Sequence, residues 1–234
     1  MATEETEVNS IAAFTISDDV KARFKTLMAN TNVKSALEFI KSDNERTLGD
    51  QIEITEIPAP PFKEEVRANY YKKRLKELKL ADVMMDSEGS VFGVRRGTGN
   101  GPTLFISAHL DTVFPEGTDT KVRKEDGKYI GPGIADDGRG LAALLSLVRT
   151  FEIVGLQTRG NIIFGAVVGE EGLGDLRGVK AMFRNHQNID GYISIEPGRP
   201  TRTIYLATGS LRYNAVYKGP GGHSYGAFGH PSHG

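Results

Sequence analysis

Apolar positions along the chain follow helical and strand rhythms in turn. Between 18 and 41, Val20, Phe24, Leu27 and Met28, then Val33, Leu37 and Ile40, fall at helical spacing. That pattern predicts two amphipathic packing helices broken near Asn30 to Asn32. The segment IPAPP at 57 to 61 stops one element, and 62 to 80 reads as a helix with Phe62, Val66, Tyr70, Leu75 and Leu78 inward. Short strands are expected at 81 to 86 and 91 to 95, around a turn at Ser87 to Gly89. Three continuous apolar runs follow, TLFISA (103 to 108), NIIFGAVV (161 to 168) and GYISI (191 to 195), as expected of strands covered on both faces. Between the first two, Leu141, Leu144, Leu145, Val148 and Phe151 mark a helical stripe, and a second helix is expected near 175 to 184. Strand, helix, strand, helix, strand predicts an α/β fold: a mixed, mostly parallel sheet flanked by helices. From about Thr201 the texture becomes alternating, in RTIYLAT and LRYNAVYKG, and predicts strands of a further domain or an antiparallel edge. GTGNG (97 to 101) is followed by neither Lys-Ser/Thr nor a helix, so it reads as a hairpin turn and not a phosphate loop.

Composition narrows the chemistry. The 234 residues carry 29 Lys and Arg against 30 Asp and Glu, a net charge of -1, with no run of five like charges. Neither nucleic acid nor an anionic membrane surface is an expected partner. No apolar stretch is long enough to span a bilayer, and the start MATEETEVNS is acidic where a signal peptide is basic then apolar. A soluble, cytoplasmic protein is expected, with periplasm and secretion left open. There is no cysteine, which rules out disulfides, thiolate metal sites and cysteine nucleophiles, so any metal must be held by His, Asp and Glu.

Those residue types sit at the strand ends. The first covered strand runs into His109-Leu110-Asp111, the second into Glu170-Glu171 and the third into Glu196, while Asp136-Asp137 opens a helix. Ligands of open α/β sheets lie at the carboxyl ends of strands. Two residues apart on an extended chain, His109 and Asp111 point the same way, so the carboxylate can orient the ring while the other ring nitrogen takes a metal. Side chains of adjacent Glu170 and Glu171 diverge, allowing one to bind metal and the other to move protons. Each feature alone also has an ordinary explanation: a capping Asp, a solvated acidic pair, an N-cap, a loop carboxylate. Their coincidence at ends that should meet favours a zinc-type donor set.

SAHLDTVFPEGT (107 to 118), GPGIADDGRGLAALL (131 to 145), VVGEEGLGDLRG (167 to 178), SIEPG (194 to 198) and GPGGHSYGAFG (219 to 229) resemble the M20 family of zinc peptidases, its peptidase T-like members in particular. The resemblance covers about 57 to 229 and implies the zinc-dependent exopeptidase type of α/β fold. It implies a two-zinc centre in which His109 binds one metal, steadied by Asp111. Asp136 is the implied bridge, followed by a cis peptide to Asp137. Glu170 is the implied general base, Glu171 the ligand of the other metal, and Glu196 the carboxylate completing the site of His109. It also implies that His223 belongs to a lid domain and, in a homodimer, reaches the partner's active site to stabilise the oxyanion. The implied substrates are short peptides or N-acyl amino acids, with short peptides cut at the amino end favoured.

On this basis 1 to 208 form the catalytic domain and 209 to 234 the start of a lid or dimerisation domain. Family members return from the lid with a further metal-binding His, whereas this chain ends eleven residues beyond His223. The expectation is a truncated chain with one competent and one weak metal site, unless His230 or His233 replaces the absent imidazole. The rival reading is a catalytically impaired metallopeptidase-like fragment that binds metal or a partner. GHSYG (222 to 226) also fits a serine nucleophile elbow, but no Asp or Glu follows Glu196 to complete its triad.

Overall fold

The computed structural model describes residues 15–199, 201–216, 218, 225 and 226. The chain divides into two units after Pro197. In the first, helices α1 (Asp18–Ala29), α2 (Thr31–Ser42), α3 (Asn44–Thr55) and α4 (Glu65–Glu77) precede strands β1 (Ala81–Met85), β2 (Val91–Arg95) and β3 (Leu104–His109). A small hairpin, β4 (Arg123–Glu125) and β5 (Lys128–Ile130), leads to α5 (Gly138–Val154), β6 (Ile162–Val167), α6 (Arg177–Asn185) and β7 (Gly191–Ser194).

The main sheet has the order β1-β2-β6-β3-β7. β3 is parallel to both β6 and β7, while β1 and β2 extend the other side antiparallel. This is the mixed, mostly parallel sheet that the apolar runs predict, except that β7, at the sheet edge, is exposed at Tyr192, Ile193 and Ser194 and is not covered on both faces. Successive strand residues face opposite sides. Ile106, Ala108, Ile162, Phe164 and Ala166 therefore pack with Leu141, Leu144, Leu145 and Val148 of α5 and Tyr71 and Leu75 of α4. On the opposite face Phe105, Ile163 and Val167 pack with Met182 of α6. Burying each such large side chain is worth roughly 1.5–3 kcal/mol, so both layers hold the strand ends in register.

α5 starts on the Asp137 side chain, which accepts from Gly140 N at 3.0 Å, and stops at Gly155 in the left-handed region. Its inner end is tied to α3 by charge: Arg149, fully buried, donates to Asp43 Oδ2 at 2.6 Å and to Asp50.

Several expectations need correcting. α3 has no counterpart in the apolar pattern, because its inward residues are Thr47, Asp50 and Thr55 beside a single Ile54. α4 keeps part of the predicted face, with Leu75 buried and Tyr70 and Leu78 packed against the core, but Phe62 and Val66 are exposed and Arg67, Ala68 and Tyr71 also point inward. A buried arginine on the stripe disguised its phase. α1 buries no residue, so Val20, Phe24, Leu27 and Met28 are exposed instead of packed, and in α2 Ala36 is buried while Leu37 and Ile40 are exposed. GTGNG is not a hairpin turn, since β2 and β3 lie on either side of β6 and the loop must cross its start. A Cβ on Gly97 or Gly101 would come within 2.4 Å of the Arg159–Gly160 main chain, which is why glycines stand there. In the second unit, residues 201–216 form no strand among the described residues and are exposed. An alternating segment becomes a strand only when another pairs with it.

Candidate metal centre

β6, β3 and β7 run side by side in one direction, so the residues at their carboxyl ends share one edge. His109 is the last residue of β3; Glu170 and Glu171 follow β6, and Glu196 follows β7. Asp136 and Asp137 arrive at the same edge because α5 begins there, and the peptide between them is cis, as the resemblance implies.

His109 is completely buried. Its Nδ1 lies 2.8 Å from the main-chain oxygen of Asp111. A carbonyl can only accept, so Nδ1 carries a proton and Nε2 is the ring nitrogen turned towards the acidic edge. That atom faces acidic oxygens, with Asp136 Oδ1 at 2.7 Å and Glu196 Oε2 at 3.7 Å. Ligand-capable atoms of His109, Glu170 and Glu171 lie within 4.8 Å of one another, and so do those of His109, Asp137 and Glu196.

The Asp111 carboxylate does something other than the ring contact expected of it. Its Oδ1 is 3.8 Å from Nδ1, beyond hydrogen-bonding reach. It accepts instead from Gly169 N at 2.9 Å, Glu170 N at 3.2 Å and Glu171 N at 2.8 Å. The main chain of Asp111 thus orients the imidazole and its side chain pins the loop that carries both glutamates. Gly169 makes that loop possible: its φ is +74°, and a Cβ there would meet Gly174 O at 2.8 Å.

Asp137 is buried and structural, accepting from Gly140 N and, through Oδ2, from His109 N at 3.1 Å. Burial pushes its pKa up to about 8, with the Glu196 charge adding to the rise and His109 opposing it. Glu171 is raised by burial and by the charges of Asp136 and Glu170. Glu196 is raised by burial and by Glu170 and Asp136, against the hydrogen bond from Ser194 Oγ at 2.7 Å. For His109 burial opposes the charged ring, but Asp137, Asp111, Glu196 and Asp136 outweigh it and raise the pKa. An imidazole nitrogen aimed at converging carboxylates, a cluster that without a cation needs protons to coexist, is a donor set that fits a divalent cation.

Of the residues singled out from sequence, His109, Asp111, Asp136, Glu170, Glu171 and Glu196 are brought to this one edge. His223, His230, His233 and Ser224 lie outside the described residues. Ser194 was missed, although it stands two residues before Glu196 on the same side of an extended chain. Arg67, discussed below, gave no signal except a charge on an otherwise apolar helical stripe.

Residues 105–223 match the sequence profile of peptidase family M20/M25/M40. An uncharacterised Bacillus subtilis protein, YqjE, is 26% identical over 194 residues, which cover 78% of this chain and 51% of that protein. Carboxypeptidase G2 of a Pseudomonas species is 34% identical over 101 residues, 40% of this chain and 24% of the relative. Among solved structures, aminopeptidase PepT from Bacillus cereus superposes with a TM-score of 0.56 at 25% identity, covering 65% of this chain and 43% of its own. The chain spans about half the length, or less, of the curated relatives it matches. No helix among the described residues is long and apolar enough to cross a membrane.

Proposed function

The chain belongs to the M20/M25/M40 peptidase family, and from that premise we propose that it carries the metal centre of a zinc-dependent exopeptidase that hydrolyses amide bonds in short peptides. The observation that carries this reading is buried His109 Nε2 facing Asp136 and Glu196, with Glu170 and Glu171 alongside.

His109, Asp136 and Glu196 would hold one zinc, and Glu171 with Asp136 a second. Such ions would polarise the scissile carbonyl and lower the pKa of the attacking water. Glu170 is the general base: its carboxylate takes the proton of the attacking water and delivers it to the leaving amine. The Asp111 carboxylate holds Glu170 and Glu171 in place through their main-chain N–H groups. Asp137 takes no part in proton transfer; it caps α5 and anchors the backbone of His109. His223 would donate to the developing oxyanion from the lid that begins near 209, in a homodimer.

The site of His109 should bind more tightly than that of Glu171, which has no imidazole besides His109 among the described residues. The resemblance to peptidase T-like members and to PepT favours the amino end of a short peptide; N-acyl amino acids are the alternative, and carboxypeptidase G2 shows that relatives of this chain include enzymes named for the opposite end. Zinc titration of the chelator-stripped chain, paired with hydrolysis assays on tripeptides, tests the reading. Tight zinc with turnover supports it, tight zinc without turnover leaves a metal-binding protein, and no zinc uptake overturns it.

A further inference from the structure

Arg67 sits on α4 and is fully buried. Its guanidinium bonds, among the described residues, to no carboxylate. It donates through Nη1 to Leu110 O at 2.7 Å, through Nε to Ile57 O at 2.8 Å and through Nη2 to Thr55 O at 3.3 Å. Burying such a cation is costly, and a leucine or methionine would fill the space without that cost. The three carbonyls and the nearby charge of Asp111 are what offset it; burial brings the pKa down only to about 10, so the group stays charged at neutral pH.

The position of those carbonyls gives the residue its significance. Leu110 O belongs to the peptide that joins Leu110 to Asp111, immediately after His109. Thr55 O and Ile57 O lie at and just beyond the end of α3. On its other side the same segment is held by Leu110 N donating to Val167 O at 2.7 Å and His109 N donating to Asp137. The planar fork of Arg67 therefore clamps the segment whose Asp111 carbonyl fixes the His109 ring and whose Asp111 side chain pins the Glu170–Glu171 loop.

We propose that Arg67 is a positioning residue of the metal centre, acting through the Leu110 carbonyl to hold the His109 ring with Nδ1–H on the Asp111 carbonyl and Nε2 towards Asp136 and Glu196. The link to metal rests on the reading above; the link to the His109 ring does not. Arg67→Lys keeps the charge and loses the fork, and Arg67→Met keeps the volume and loses both. Thr47→Val, in the buried Asp43–Arg149 network, is the control for lost stability.

Proton and nitrogen NMR of the metal-free chain should show a slowly exchanging His109 Nδ1–H in wild type and in Thr47→Val. In both Arg67 variants that signal should shift or broaden while the remaining amide spectrum stays folded. Zinc affinity, read by chelator competition, should fall about 10- to 100-fold, as for other residues that orient metal ligands, with the cobalt-substituted spectrum altered in parallel and Thr47→Val unaffected. A folded Arg67→Lys protein with the wild-type Nδ1–H signal and zinc affinity would overturn the proposal. So would an equal loss of affinity in Thr47→Val. If wild type shows the Arg67-sensitive signal but takes up no zinc, the positioning role stands and the metal reading falls. Should Arg67→Met fail to fold, Arg67→Lys decides.

Discussion

The main-chain oxygen of Asp111 holds Nδ1 of His109 at 2.8 Å, while the carboxylate of the same residue collects the amides of Gly169, Glu170 and Glu171. One residue thus sets the direction of the imidazole on β3 and the course of the loop after β6. Asp111→Asn replaces an acceptor-only group with one whose amide nitrogen confronts a main-chain donor. It should weaken zinc binding about 10- to 100-fold, measured by chelator competition. Unchanged affinity would mean that the loop holds its shape without the carboxylate.

Glu170 separates binding from chemistry. Glu170→Gln keeps the side chain's size and removes its basicity, so turnover on short peptides should fall by about 10²- to 10⁴-fold, the usual contribution of a general base. Zinc uptake, measured by metal analysis after dialysis, should remain near that of wild type. Turnover that survives the change would reassign the base.

Glu196 should be worth one tight metal. It approaches Nε2 of His109 and is oriented by Ser194 Oγ. Glu196→Ala should abolish the tighter of two zinc-binding phases in a calorimetric titration, and Ser194→Ala should weaken that phase without removing it. A titration unaffected by Glu196→Ala would place the tight site elsewhere.

The buried arginine of α5 offers a stability test away from the site. Arg149 neutralises both Asp43 and Asp50. Asp43 is held below the usual carboxylate range: burial alone would raise it, and the hydrogen bonds and charge of Arg149, with Ser146 and Thr47, outweigh that. Arg149→Met strands Asp43 in the interior, Asp50 keeping Arg74 Nη2 at 2.6 Å, and should cost about 3–5 kcal/mol, read as a lower urea midpoint. A shift below 1 kcal/mol would show that solvent reaches Asp43.

What could be seen in the sequence follows from which residues carry apolar burial. β3 and β6 are legible because Phe105, Ile106, Ile163 and Phe164 are buried in unbroken runs, β7 is legible as a strand although its Tyr192 and Ile193 are exposed at the sheet edge, and the polar residues ending the three runs give the site edge directly. α3 was invisible because Asp50 and Thr47 face inward and are satisfied by Arg149, a partner about 100 positions away that no local pattern can supply. The part of the α4 face that the pattern missed has the same origin in Arg67. The exposed β4–β5 hairpin buries too little to impose any alternation. Which of two neighbouring aspartates meets the imidazole was equally beyond local pattern, since it depends on how α5 docks: Asp137 turns inward as a cap and Asp136 towards His109.

The acidic cluster should make the metal-free protein lose stability as pH rises. Asp137 is raised from an unfolded value near 4 to about 8. Between those values the native state binds a proton that the unfolded chain has released, so its contribution declines across that window. Glu171 and Glu196 are also raised and act in the same sense. His109 adds to it: a raised imidazole stabilises fully below its unfolded pKa of roughly 6.5, and that contribution disappears as pH climbs through the higher folded value. All four signs agree, so the melting temperature of chelator-stripped protein should fall from pH 5 to pH 8. Zinc competes with those protons, and at a free concentration 100 times its dissociation constant it should add about 2.7 kcal/mol at the upper end of the range. The loss should therefore be reversed at pH 8 and little changed at pH 5. A metal-free melting temperature that rises over this interval, or zinc stabilisation that is independent of pH, would show that these carboxylates do not hold protons in the folded chain.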